Sequence, residues 1–186
     1  IGGVNTELIQ KFQAGFEAGV AAIDPAITVD VEYLTEPPDF DGFNDPGRGR
    51  EVATSMYEGG ADVVYAAAGG SGGGVFEAAV TAREGGTNVW AIGVDSDQYN
   101  TADPAVQDVI LTSMLKQVNV AVYNTIAAAV AGEEVGGQTT VFDLSVDGVG
   151  YSTSGDFLSE DTIAQLEDLK AQIIAGEIEV PTVPEG

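Results

Sequence analysis

The stretch ADVVYAAAGGSGGGVFEAAVTAREGGTNVWAIGVD, residues 61–95, decides the fold of this 186-residue chain. It opens on a short apolar run, Ala61 to Ala66, passes through a glycine-rich segment, Gly69 to Gly74, and continues in a helical pattern from Val75 to Arg83. A second apolar run, Val89 to Val94, follows. Short apolar runs on either side of a helix are typical of parallel strands that are covered on both faces. The stretch therefore predicts a strand–helix–strand unit.

The same alternation extends along the chain in both directions. Helices are predicted over Glu7–Ile23, Pro46–Glu58, Gln117–Ala131 and from Ser159 to Gly176, and strands over Ile27–Leu34, Val109–Ser113, Thr139–Leu144 and Val146–Ser152. Asp45 before Pro46, and Ser159 before an apolar helical pattern, are typical helix starts. The sequence predicts an α/β architecture with a Rossmann-like, mostly parallel sheet flanked by helices.

The composition excludes several classes of function. The chain has 30 acidic residues, 6 basic residues and no histidine, which gives a net charge of −24. Nucleic acids and anionic membrane surfaces are excluded as partners, because both are bound through Lys and Arg. Without His or Cys, the chain cannot form a structural zinc site, a thiol nucleophile or a Ser-His-Asp triad. Carboxylate chemistry, metals with oxygen ligands, or binding without chemistry remain.

The acidity is not a sign of disorder, because 44% of the residues are hydrophobic and the mean hydropathy is +0.10. Disordered chains combine high charge with low hydrophobicity. Two origins for the acidity stay open at this point. One is a high-salt habitat, and the other is export from an organism whose proteins are generally acidic.

Four residues near predicted strand ends are candidate ligand contacts, because ligands of open α/β sheets bind beyond the carboxyl ends of the strands. Asp95 offers two acceptor oxygens that suit the vicinal hydroxyls of a sugar; the alternatives are a helix cap or, with Asp97, a Ca²⁺ ligand. Lys116 is one of three lysines, and it either contacts the ligand or balances local acid. Tyr65 either stacks on a planar ring or belongs to the core. Gly70 either lets a ligand approach bare backbone or forms a flexible turn.

Several of these segments resemble one family, the basic membrane protein (Bmp) family. Its members are substrate-binding lipoproteins that serve as purine-nucleoside receptors of bacterial ABC transporters. The segments that carry the resemblance are IGG at 1–3, FQAGF at 12–16, FNDP at 43–46, GADVVYAAAGG at 60–70, GVF at 74–76, AIGVDSDQ at 91–98 and LTSMLK at 111–116.

The resemblance implies a type I periplasmic-binding-protein fold, in which two α/β lobes close over a ligand at a hinge. It implies a purine nucleoside in the cleft, bound by closure without chemistry, and therefore no enzyme, metal or cofactor. By this resemblance Asp95 binds the ribose, Lys116 is the cleft lysine, Tyr65 is the aromatic of the second lobe, and the backbone near Gly70 approaches the ligand. The implied partners are the permease and ATPase subunits of an ABC transporter.

The resemblance also implies a division of the chain. Residues 1–115 would form the second, C-terminal lobe, 116–144 would return through the hinge to the first lobe, 145–176 would add a final strand and helix, and 177–186 would be a loose tail. The N-terminal lobe would be missing, together with a signal peptide and a lipidated Cys that anchors an extracytoplasmic protein to the cell membrane. The chain alone is then expected to bind nucleoside weakly or not at all.

Two other functions remain open on the sequence. The same fold could serve as a ligand-sensing regulatory domain that signals to a partner. A Ca²⁺-dependent nucleoside hydrolase that uses Asp95 and Asp97 is the other alternative, although the chain lacks a dense N-terminal Asp cluster.

Overall fold

A computed structural model describes residues 1–184 of the chain. Its strands are β1 (Gly2–Val4), β2 (Tyr33–Thr35), β3 (Val63–Tyr65), β4 (Trp90–Asp95), β5 (Ile110–Lys116) and β6 (Val149–Tyr151). Its helices are α1 (Glu7–Ile23), α2 (Pro46–Glu58), α3 (Gly72–Glu84), α4 (Gln98–Thr101), α5 (Val118–Val130) and α6 (Glu160–Ala175). No helix within residues 1–184 is long and apolar enough to cross a membrane.

The strands form a mostly parallel sheet, as the sequence predicts. β3, β4 and β5 are parallel neighbours, and β6 lies antiparallel beside β5. β1 and β2 form a second parallel pair. The segment just after β3 connects this second pair of strands to the other four. There the N–H of Gly3 donates to the carbonyl of Ala67 at 3.0 Å, and the N–H of Ala67 donates to the carbonyl of Ile1 at 2.9 Å. The order across the sheet is therefore β2-β1-β3-β4-β5-β6.

In open α/β sheets this strand order places a crevice outside one edge of the sheet. The chain leaves β1 toward β2 on one side and later passes to β3 on the other side of β1. Loops that follow β1 and β3 therefore separate at their carboxyl ends, which is the topological switch point where open α/β sheets bind ligands. The carboxyl ends of β4 and β5 lie along the same edge.

The main core lies between the sheet and the helices α2 and α3. Its largest fully buried side chain is Phe76, which is 1% exposed and packs with apolar residues of both helices and three strands. The other members of this cluster are Ala53, Tyr57, Val64, Ala66, Val75, Ala78, Ala79, Val89, Ala91, Val109 and Ile110. The hydroxyl of Tyr57 donates to the carbonyl of Trp90 at 3.0 Å, and burial raises the pKa of this tyrosine.

Helix starts are set by the capping side chains that the sequence indicates. The Asp45 carboxylate accepts from the N–H of Arg48 at 2.9 Å, with Pro46 as the first residue of α2. The Ser159 hydroxyl accepts from the N–H of Thr162 at 3.1 Å at the start of α6. Each cap satisfies an N–H that the helix itself leaves free. The predicted bounds of α1 and α2 are confirmed.

The glycine-rich segment is an ordered helix start, so its interpretation as a flexible turn is wrong. Gly69–Ser71 form a 3₁₀ turn that continues into Gly72, the first residue of α3. The Ser71 side chain is fully buried; its hydroxyl donates to the carbonyl of Gly42 and accepts from the N–H of Asp45, both at 2.8 Å. The segment is thereby attached to the loop before α2.

One strand prediction is wrong and another is too long, because a strand needs a hydrogen-bonded neighbour. Residues 139–144, predicted as a strand, form extended loop and the start of a 3₁₀ turn at Leu144–Val146. The stretch from Ile27 pairs only from Tyr33 onward, because β1 offers three residues for pairing. Ile27 and Val31 remain exposed.

The tail was expected to be loose over 177–186. Residues 177–184 carry no helix or strand, and they return past α1, where Cγ1 of Val180 lies 3.8 Å from the place of a Cβ on Gly15. The last two residues lie outside the described part of the chain. The looseness of the tail stays a prediction.

Helices α2 and α3 approach closely because Gly74 has no side chain. A Cβ on Gly74 would overlap the carbonyl oxygen of Pro46 and lie 2.8 Å from the backbone nitrogen of Arg50. Both groups are helix backbone and cannot rotate away. By contrast, a Cβ on the adjacent Gly73 would meet nothing within 4 Å.

We therefore expect Gly74→Ala to destabilise the fold by about 2–3 kcal/mol, since α3 must move off α2 and leave gaps in the core. The matched control, Gly73→Ala, should stabilise the fold by up to about 1 kcal/mol, because Ala loses less backbone entropy than Gly in a helix. Urea unfolding followed by circular dichroism measures both. Equal effects of the two substitutions would contradict the packing described here.

Candidate functional site

An ion pair at the carboxyl edge of the sheet is the centre of the candidate site. Nζ of Lys116, the last residue of β5, lies 2.7 Å from Oδ1 of Asp95, the last residue of β4. Both side chains are about half exposed, 48% for Lys116 and 47% for Asp95. Two of the four predicted site residues are therefore in contact, and both remain accessible to a ligand. Lys116 belongs to the strand, whereas the sequence prediction placed it after the strand end.

Asp95 adopts a backbone conformation that is uncommon for a residue with a side chain. Its φ is +68°, and the N–H of Ser96 donates to the carbonyl of Val94 at 2.9 Å. A bond between residues two apart around a positive φ is a γ-turn, which is rare and strained. Strained backbone persists where surrounding contacts hold it, and such positions cluster at functional sites.

Asp97 connects the loop after β4 to the loop after β6. Its Oδ2 accepts from the Ser154 hydroxyl at 2.6 Å and from Nδ2 of Asn100 at 2.7 Å. Partial desolvation raises the pKa of Asp97, but hydrogen bonds from Ser154, Ser152 and Asn100 outweigh it and lower the pKa below its ordinary value of 3.8. Asp97 therefore joins two loops rather than facing the crevice with Asp95.

No group of three or more Asp, Glu, His or Cys side chains converges within residues 1–184 in a way that could hold a metal ion. The Ca²⁺ interpretation of Asp95 and Asp97 thus gains no support from the geometry. Asp95 has a lysine as its close partner, and the partners of Asp97 are hydroxyl and amide groups.

Gly70 lies exposed at the switch point, next to the loop that precedes α2. A Cβ on Gly70 would lie 3.3 Å from Oδ1 of Asn44 and 3.4 Å from the carbonyl oxygen of Phe43. The ring of Phe43 packs on the other side against Gly3 of β1, since a Cβ there would meet its ring carbons. A ligand at the crevice would therefore meet bare backbone at Gly70, with Phe43 and Asn44 beside it.

Tyr65 is engaged inside the lobe. Its ring stacks on Phe16 of α1, with ring centroids 5.3 Å apart and an interplanar angle of 28°. Burial, with a further contribution from the negative charge of Asp95, raises the pKa of its hydroxyl. The ring also lines an apolar pocket of about 450 Å³ between α1 and the sheet, with Phe12, Ile92 and Met114. Phe16 thus covers one face of the ring, and the role of Tyr65 in ligand stacking stays a prediction.

Phe43 is the crevice residue that sequence reasoning missed. Phe43 is half-buried and lies between Gly3 of β1 and Gly69, which follows β3. β1 and β3 are the two strands that flank the switch point. The signal was available in part, because Phe43 lies in the loop after a predicted strand, two residues before the Asp45–Pro46 helix start. What the sequence could not show is that β2 lies beside β1, so that its following loop reaches the same edge.

The hydrogen bonds of Asp97 predict how the stability of the fold depends on pH. A carboxylate whose pKa is lowered by folding contributes stability above its unfolded pKa and loses it as the pH falls through the folded pKa. We expect Asp97→Asn to lower the melting temperature at pH 7, and we expect this deficit to shrink as the pH falls below 3.8, the ordinary pKa of Asp. Thermal unfolding between pH 7 and pH 2.5 measures the difference.

Glu51→Gln, on the exposed surface of α2, controls for the loss of one negative charge. This control should leave the melting temperature close to the wild-type value throughout. A pH-independent deficit in Asp97→Asn would show that the carboxylate charge is not what joins the two loops.

Comparisons with known proteins identify the family of the chain. A family model described as "ABC transporter substrate-binding protein PnrA-like" (Bmp) matches residues 1–183. The "CD4+ T-cell-stimulating antigen" of Listeria monocytogenes is 38% identical over 191 aligned residues, which cover 99% of this chain and 52% of that protein. The "ABC transporter nucleoside-binding protein BmpA" of Lactococcus lactis is 31% identical and is matched over 98% of this chain and 52% of its own length.

A solved structure shows the same fold. The solute-binding protein of an ABC transporter system from Conexibacter woesei superposes with a TM-score of 0.75 at 22% identity, over 98% of this chain and 57% of that one. The chain thus spans about half the length of the relatives that it matches. By its sequence match over nearly all residues, the chain belongs to the Bmp family of ABC transporter substrate-binding proteins.

Proposed function

We propose that this chain is a ligand-binding lobe of an ABC transporter's substrate-binding protein and that its ligand is a purine nucleoside. The observation that carries the proposal is the half-exposed Asp95–Lys116 pair at the carboxyl edge of the sheet. The name of the Lactococcus lactis relative, a nucleoside-binding protein, supports the choice of ligand class.

The pair suits a ribose. The Asp95 carboxylate has several acceptor positions, and Lys116 occupies only one of its oxygens. The remaining positions can accept hydrogen bonds from two neighbouring hydroxyls, and charge-assisted bonds of this kind are stronger than neutral ones. Lys116 both neutralises Asp95 and offers further N–H donors to the ligand.

The electrostatics favour a neutral ligand over a phosphorylated one. The chain has a net charge of −24, and the loop that follows β2 adds Glu36, Asp39, Asp41 and Asp45 to the carboxyl edge. One lysine at the crevice cannot offset this surrounding charge. A nucleoside therefore fits the site better than a nucleotide does.

For the base, we propose contacts with Gly70 and with an aromatic ring. Bare backbone at Gly70 permits close approach by a flat ring. Two aromatics are near enough to stack: Phe43, which lies at the switch point, and Tyr65, which already stacks on Phe16. Each ring already has one neighbour, Gly3 for Phe43 and Phe16 for Tyr65, and we propose that one of the two offers its remaining face to the base.

The proposed action is capture without catalysis. The chain has no His or Cys, and Asp95 is paired with a lysine, which does not favour a role as a proton acceptor. In the proposed mechanism a second lobe closes on the bound nucleoside, and permease and ATPase subunits then receive it. The proposed location is extracytoplasmic, with attachment to the cell membrane through a lipid anchor.

Exposure of α5 supports the proposed division of the chain, in which residues 116–144 leave the lobe formed by 1–115. α5 has no buried residue, yet Val122, Tyr123 and Ile126 are 53%, 73% and 59% exposed. A helix that is apolar on all sides is normally buried. We therefore assign α5 to the packing of the other lobe, and β6 with α6 to the return of the chain.

The ligand proposal predicts selective binding by the full-length protein. Calorimetry should detect inosine, guanosine or adenosine and give no signal with the corresponding monophosphate. Asp95→Ala should weaken nucleoside binding about 10- to 100-fold, since it removes hydrogen bonds to a charged group. Lys116→Met should weaken it as well.

The matched control is Lys170→Met on α6, whose Nζ pairs with Oδ1 of Asp147 at 3.0 Å, and it should leave the affinity unchanged. Release of free base or ribose during the titration would contradict capture without catalysis. Unaltered affinity in Asp95→Ala would show that the ribose does not bind at this edge.

The assignment of α5 predicts a difference in hydrogen exchange. In the 186-residue chain alone, amides of α5 should exchange much faster than those of α3, because apolar contacts do not protect them. In the full-length protein the two helices should be protected to similar degrees. Fast exchange of α5 in both forms would contradict its burial by another lobe.

A further inference from the structure

We propose that Gln98 is a positioning residue that keeps Asp95 in its strained, ligand-facing conformation, an inference that rests on the proposed function. Gln98 is the first residue of α4 and lies three residues beyond Asp95. Its carboxamide and its backbone reach two different strands.

The first contact compensates for a missing strand partner. The N–H of Ala66 donates to the carbonyl of Ile92 at 3.0 Å, which is the last hydrogen bond between β3 and β4. In a continued parallel ladder the N–H of Val94 would next donate to the carbonyl of Ala66. It donates instead to Oε1 of Gln98 at 2.7 Å. Val94 is 6% exposed, so this N–H would otherwise be buried without a partner, which is costly.

The second contact fixes Gln98 to the other neighbour of β4. The backbone N–H of Gln98 donates to the Ser113 hydroxyl at 3.1 Å, and Ser113 is fully buried in β5. Both contacts pass over Gly93, where a Cβ would lie 2.5 Å from Oε1 of Gln98 and 2.7 Å from Oγ of Ser113. Glycine at position 93 therefore makes room for the two contacts.

Together these bonds hold the segment from Val94 to Gln98 at both ends. Within it, the N–H of Ser96 donates back to the carbonyl of Val94 at 2.9 Å, and Asp95 sits at the centre with φ +68°. An isolated aspartate rarely adopts this conformation. If Gln98 releases Val94, Asp95 can relax to extended backbone, which would turn its carboxylate away from Lys116.

The direct test is a double-mutant cycle in the full-length protein. The variants are Gln98→Leu, Asp95→Ala and the double variant, and the ligands are the best-bound purine nucleoside and its 2′,3′-dideoxy analogue. Gln98→Leu should weaken binding of the nucleoside about tenfold but leave binding of the analogue unchanged, because the analogue lacks the hydroxyls that Asp95 binds. In the Asp95→Ala background the same substitution should have no further effect.

Gln172→Leu on α6, whose side chain donates to Asp168, is the matched control and should leave both affinities unchanged. Equal weakening of nucleoside and analogue by Gln98→Leu, or losses that multiply in the double variant, would overturn the positioning role. A wild type that binds no nucleoside would instead overturn the proposed function and the inference with it. A wild type that binds while Asp95→Ala loses nothing would overturn the site assignment.

A second variant covers the case in which Gln98→Leu does not fold. Ser113→Ala removes the anchor of the Gln98 backbone and keeps its carboxamide, and it should weaken nucleoside binding by a smaller factor, again only while Asp95 is present. A crystal structure of either variant gives an independent readout. It should show Asp95 at negative φ and separated from Lys116; an unchanged γ-turn and ion pair would overturn the proposal.

Discussion

The parallel hydrogen-bond ladder between β4 and β5 is the constraint on which the candidate site depends. Its register places Asp95 opposite Leu115, so the next residue of β5 is Lys116 and its ammonium group reaches the carboxylate. The two side chains come from sequence positions 21 residues apart, since 116 − 95 = 21. A slip of one residue would send Lys116 to the other face of the sheet. The core between the sheet and the helices α2 and α3 maintains that register.

The surface of the molecule is acidic and its interior is apolar. Acidic residues cover the surface, and the apolar cluster around Phe76 is sealed from water. The crevice lies where these two environments meet, at the ends of buried strands. There one lysine faces one aspartate within an acidic rim, so an uncharged ligand rich in hydroxyl groups fits better than an anion. The exposed apolar side chains of α5 depart from this division, and they support the assignment of that helix to another lobe.

Much of this arrangement is predictable from the sequence, and the failures have physical causes. The bounds of α1 and α2 are predictable because capping side chains and apolar periodicity are local. The end of β4 is nearly so, because that apolar strand stops at a polar residue. The end of β5 is not, because the predicted strand stops at Ser113 whereas β5 continues to Lys116, where it pairs with β6. Residues 139–144 look like a strand but have no neighbour to pair with, and pairing is not local. The packing of Tyr65 on Phe16, the place of Phe43 and the contacts of Gln98 all depend on which strands are neighbours. The glycine-rich segment was interpreted as a flexible turn, but Gly74 belongs to α3 and permits close packing against α2. Sequence alone does not show which of these two roles a glycine has.

A crystal structure of the full-length protein with a bound purine nucleoside tests the central claim most directly. The account predicts the ribose at the carboxyl edge, with its hydroxyls about 2.7 Å from the oxygens of Asp95, Lys116 within hydrogen-bonding reach, and the base beside Gly70 and Phe43. A nucleoside bound elsewhere, with the Asp95–Lys116 pair left to solvent, would contradict it.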